Sequence, residues 1–98
     1  MIISDLLPCE GEHSVTQREL ERLTGIDSRS IRGMIQKERL SGAPIISGRY
    51  GYRLSENADD VERCGKALQH RGLVVLRVSE AMLCTADRLR GQERMEGI

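Results

Sequence analysis

Basic side chains crowd one short stretch of this chain. Residues 28–53 hold Arg29, Arg32, Lys37, Arg39, Arg49 and Arg53 against Glu38 alone, a net charge of +5. Residues 1–27 carry −4 and residues 54–98 carry −1, so the 98-residue chain is neutral, with 15 charges of each sign. That balance excludes a general polyanion sponge. A local basic cluster is another matter, because phosphate contacts are short-ranged and screened within about 10 Å at 0.1 M salt. The residue types also suit base reading: arginine grips guanine, and glutamine adenine, through paired hydrogen bonds in the major groove. Gln36 lies among the arginines, and Ser28 and Ser30 are placed to touch bases or phosphates. A solvated face is the plainer account of scattered charge. The grouping with Arg49 and Arg53 favours contact with DNA.

Other chemistries find little support. Cys9, Cys64 and Cys84 are far apart, and no CxxC pair or zinc-spaced histidine accompanies them. No metal site is expected, and free thiols fit a reducing cytoplasm. His13 and His70 are isolated. A Cys–His nucleophile would need an acidic or oxyanion partner, and none is evident. With no GxxxxGK phosphate loop either, neither enzymatic activity nor a cofactor or small-molecule ligand is expected. Two tyrosines and no tryptophan or phenylalanine leave single-strand recognition by base stacking without platforms. No apolar run reaches membrane-spanning length, and the opening residues are too short, and lack the basic leader, for a signal peptide. A cytoplasmic protein, nucleoid-associated when bound, is the expectation.

The elements that must position the basic residues run from Thr16 to Leu54. Thr16 and Glu19 form a capping box, with Leu20 and Leu23 on one face of the helix it opens. Gly25 suits a left-handed helix end, Ile26 a plug between helices, and Asp27 or Ser28 the next N-cap. The second helix carries Ile31 and Ile35 on its core face, with Met34 beside them, and stops at Gly42 and Pro44. At 100° per residue, Arg29, Arg32, Gly33 and Gln36 fall opposite that face, flanked by Ser30 and Lys37. Gly33 costs about 1 kcal/mol relative to alanine; it either permits close backbone approach to DNA or is a neutral surface position. Ile45 and Ile46 begin a strand, Gly48 to Gly51 turn, and Tyr52 to Leu54 return. Arg49, then Tyr50, are the candidates for contact at the tip, with Arg53 beside them; Tyr52 packs inward. The backbone at Thr16 and Gln17, at a helix start, can hold a phosphate. Before this module, Ile2, Ile3, Leu6 and Leu7 predict a short helix ended by Pro8. Cys9 to His13 read as a loop, and Ser14 and Val15 as a brief strand against the hairpin.

The C-terminal half has a different pattern. Asn57 and Asp60 mark a helix start. One apolar line passes through Val75, Val78, Met82, Ala86 and Leu89, and another through Leu73, Leu76 and Leu83. A helix apolar on two sides needs two partners. The expectation is a homodimer with Leu73, Leu76, Met82, Leu83 and Leu89 at its interface; the alternative is a helix folded wholly onto its own domain. Gly72 either breaks the segment or lies within one helix.

The helix pair followed by a hairpin is the layout of a winged helix-turn-helix. Leu20 to Leu23, Thr24-Gly25-Ile26, Ile31-Arg32, Ile35, Gly42-Ala43-Pro44-Ile45 and Tyr50-Gly51-Tyr52 resemble the winged helix-turn-helix that opens biotin-operon repressors. More closely, they resemble small winged-helix proteins of phages and prophages of Gram-positive bacteria, over roughly residues 14–83. The resemblance implies a bacterial or phage origin and a DNA-binding module without a ligase domain. The chain departs from it at Glu38, where a leucine is usual, leaving Leu40 to fill that volume from a shifted position.

The expected fold is thus mainly α with a small β-hairpin: a winged helix-turn-helix over residues 1–56, a helical dimerisation extension over 57–90 and a flexible tail over 91–98. The expected function is sequence-directed binding of double-stranded DNA in transcriptional regulation. A protein-interaction or oligomerisation module without DNA binding, and a phage replication or excision accessory, are the alternatives.

Overall fold

A computed structural model describes residues 2–9 and 13–96. It is mainly α with one small hairpin, an arrangement compatible with a winged helix. The chain divides into two compact units, Met1–Cys64 and Gly65–Ile98.

The first unit is built on local signals. Thr16 caps helix α1 (Gln17–Thr24): its hydroxyl accepts from the Glu19 N–H at 3.1 Å, and Glu19 reaches back to the Thr16 N–H at 3.4 Å. Such a cap stabilises by about 1 kcal/mol. Gly25 ends α1 at φ 72°, a left-handed conformation that costs glycine nothing. Asp27 caps helix α2 (Ser28–Leu40) through the Ser30 N–H. Strands β1 (Ile45–Gly48) and β2 (Gly51–Leu54) pair antiparallel, Ile45 opposite Leu54 and Gly48 opposite Gly51, about a turn at Arg49 and Tyr50. Val15 adds a third edge, exchanging two hydrogen bonds with Tyr52 at 2.9 and 2.8 Å. Gly51 sits at φ 124°, and a Cβ there would overlap the Val15 carbonyl, so this strand must begin with glycine.

The core comprises Ile3, Leu7, Leu20, Ile31, Ile35 and Ile45, with Ile26, Met34 and Tyr52 packed against it. Each such aliphatic side chain contributes roughly 1.5–3 kcal/mol on burial. Three expectations are corrected here. The opening helix is a single 3₁₀ turn, Ile3–Leu6, because Leu7, held extended before Pro8, cannot continue it; Ile3 and Leu7 are both buried. Met1 lies outside the described residues, as do residues 10–12 of the expected loop. Leu23 is 59 % exposed, because it is turned about 60° from Leu20, past the edge of a small core. Leu40 is 82 % exposed and fills no core volume.

Helix α3 (Ala58–Glu96) starts where Asn57 Oδ1 accepts from the N–H groups of Asp59 and Asp60, at 2.9 and 3.3 Å. It is continuous, so Gly72 lies inside one helix, and it runs past Gly91 over most of the expected tail; residues 97–98 lie outside the described ones. Between residues 65 and 92 only Ala86 is half-buried and every other residue is exposed. Among the described residues, no helix is long and apolar enough to cross a membrane.

Candidate nucleic-acid interface

Burial of Ile31 and Ile35 fixes which way α2 faces. Arg29, Ser30, Arg32, Gly33, Gln36 and Lys37 are all exposed, and Ser28 is half-buried. Two cationic groups at residues 29 and 32 and the Gln36 amide therefore share the helix face turned from the core.

At the head of α2, Ser30 is tied to the cap. Its hydroxyl donates to Asp27 Oδ1 at 2.7 Å, and its N–H to Oδ2 at 3.2 Å. The hydroxyl bond and the backbone bond of Ser30 hold the Asp27 carboxyl below the ordinary aspartate value. A carboxylate thus stands where α2 begins, which moves the cationic part of the face toward Arg29, Arg32 and Lys37.

Two of the six clustered bases are engaged within the protein. Arg39 Nε donates to the Ile45 carbonyl at 2.8 Å, and its Nη2 to Ser47 Oγ at 3.3 Å and Cys64 Sγ at 4.0 Å. Arg53 faces Asp60 at 3.5 Å, with side chains 27 % and 25 % exposed. Arg49 lies at the hairpin turn with its guanidinium 5.8 Å from the Tyr50 ring centroid. Tyr50 is 72 % exposed, so the pair presents a cation and a flat ring to solvent. The start of α1 is occupied too. Glu19 sits on the Thr16 N–H and hydroxyl, and Gln17 Nε2 donates to the Ser28 carbonyl at 3.2 Å, linking the two helices.

Glu38 is the residue the pattern undervalued. Its carboxylate accepts from the Ile3 N–H at 2.7 Å and the Ser4 N–H at 2.9 Å, capping the 3₁₀ turn across the fold. Burial pushes its carboxyl up, but the Ser4 and Ile3 bonds outweigh this and leave it below the ordinary glutamate value. A lone acid at an expected leucine position was the available signal; its partners, more than thirty residues away, were not legible.

Cys9 and Cys84 are exposed and Cys64 half-buried, all as free thiols. Among the described residues, no cluster of histidine, cysteine and acidic groups could hold a metal ion. No protein-family model, curated protein or solved structure matches the chain.

Proposed function

We propose that the first unit is a winged helix-turn-helix that binds double-stranded DNA, with α2 in the major groove and the hairpin tip on the adjacent backbone or minor groove. The observation that carries this reading is the exposed face of α2, where Arg29, Arg32, Gln36 and Lys37 stand opposite the buried Ile31 and Ile35. Arg32 and Gln36 read base edges; Arg29, Lys37 and Arg49 hold phosphates, and Ser28, Ser30 and Gly33 lie within the same footprint. Glu19 already holds the Thr16 N–H, so of the two residues at the start of α1 it is the Gln17 backbone that offers its N–H to a further phosphate. Arg53 stays with Asp60 and supports the hairpin, with Tyr50 beside the tip.

The biological role proposed is transcriptional regulation in a bacterium or phage, in the cytoplasm. The chain acts as a homodimer joined through α3, so its target is two half-sites related by symmetry. Selection from a random duplex pool at two salt concentrations tests the reading. The three phosphate-holding cations, Arg29, Lys37 and Arg49, imply a log–log salt slope near −3 per protomer. An enriched inverted repeat with that slope supports it; no enrichment and no low-salt retention would sink it, leaving a protein-interaction module.

A further inference from the structure

Helix α3 carries two stripes that repeat every seven residues. Gly65, Gly72, Ser79 and Ala86 form a small stripe, and three residues after each comes a large apolar one: Leu68, Val75, Met82 and Leu89. Leu76 and Leu83 flank the small stripe on its other side. The large stripe is exposed, Met82 at 67 %. Among the described residues, nothing packed against the glycines accounts for them. Each costs about 1 kcal/mol in a helix, and a Cβ at Gly65 or Gly72 would meet nothing within 4 Å. A seven-residue repeat of this kind faces a neighbouring helix. A contiguous apolar face of such length marks an interaction surface.

We propose that α3 pairs antiparallel with α3 of a second copy, in the one register that sets every small residue against a large one. In that register Gly72 receives the partner's Met82, and Gly65 the partner's Leu89. Ser79 meets the partner's Val75 beside the two-fold axis, and Ala86 meets the partner's Leu68 farther out. Parallel pairing in register stacks glycine on glycine and methionine on methionine. Its layers alternate between voids and overpacking, both destabilising. The antiparallel arrangement is isologous: the same strip serves both copies, as two-fold symmetry requires. That self-complementarity identifies a second copy, rather than an unrelated helix, as the occupant. Leu76 and Leu83 close the flank of the contact, while Leu73 lies outside it.

This inference rests on the self-association proposed above, and cysteine cross-linking in the full chain separates the two. With Cys9, Cys64 and Cys84 replaced by serine, Leu68→Cys and Ala86→Cys are made in separate proteins. In the antiparallel register each introduced thiol lies about 27 Å along the axis from its own copy, so neither protein should cross-link alone. Their mixture should yield a disulfide-linked dimer. Cross-linking of each protein by itself would overturn the orientation while leaving the dimer. A monomer in sedimentation, with no cross-link in the mixture, would overturn self-association while DNA selection remains a separate readout. Size exchange gives a second measurement on the same layer. Gly72→Met should weaken dimerisation at least tenfold, and Met82→Gly added to it should restore most of the loss; absence of rescue would overturn the register.

Discussion

Arg39 Nε donates to the Ile45 carbonyl at 2.8 Å, a bond from the last turn of α2 to the first residue of β1. The side chain reads in sequence as one more member of the basic cluster, yet it is a strut between helix and hairpin.

Removing that strut should cost stability. Arg39→Ala leaves the Ile45 carbonyl without its side-chain donor and should lower unfolding free energy by about 1–3 kcal/mol in urea titrations. Arg39→Lys should recover only part of this, because an ammonium cannot fork across Ile45 and Ser47. An unchanged urea midpoint, with DNA binding lost instead, would move Arg39 into the binding face.

The two exposed arginines should fail differently. Arg32→Ala should cost about 1–3 kcal/mol in DNA affinity and blur base preference at one position. Arg49→Ala should weaken all sequences alike and reduce the salt slope by about 1. Fluorescence anisotropy on matched and scrambled duplexes measures both; full affinity in both folded variants would place the interface elsewhere.

Glu38 links stability to acid. Its folded-state pKa lies below the reference value of 4.5, so its contribution is fully present above that pH and is lost as pH falls through the folded value. Glu38→Gln should therefore be destabilised at pH 7, by about 1–2 kcal/mol, with the gap to the unsubstituted protein narrowing in strong acid. Urea midpoints measured at both ends of this range give the answer, and a gap independent of pH would rule the carboxylate out as its source.

Two glycines should respond with opposite signs. Gly51→Ala forces a Cβ into the Val15 carbonyl at φ 124° and should destabilise by about 1–3 kcal/mol. Around Gly33 a Cβ meets open space, so Gly33→Ala should raise stability by up to about 1 kcal/mol. If DNA affinity falls in that stabilised variant, the glycine serves close backbone approach; if it does not, the position is neutral.

What was legible in the sequence was local. The capping box of Thr16 and Glu19, the left-handed Gly25 and the Asp27 cap each depend on spacing or on conformations few residues adopt. What was not legible depended on partners distant along the chain. Glu38 finds its donors at Ile3 and Ser4, and Arg39 an acceptor at Ile45. Once Glu38 is satisfied by backbone N–H groups, no aliphatic side chain is needed at its position, and Leu40 is left in solvent. Counting charge between residues 28 and 53 likewise could not distinguish Arg53, held by Asp60, from Arg49 at the turn. Periodicity registers which face is apolar, not which polar groups are already occupied.

The Val15–Tyr52 pair also sets a clock. Helices α1 and α2 can form from near neighbours within microseconds. The bridge must wait for a long segment to close, at an entropic cost of about 3 kcal/mol. It records completion of the unit together with the Leu54 N–H bond to the Pro8 carbonyl, which closes a longer segment. The amide protons of Val15 and Tyr52 should accordingly exchange with solvent in step, each shielded until the hairpin and the residue before α1 part together.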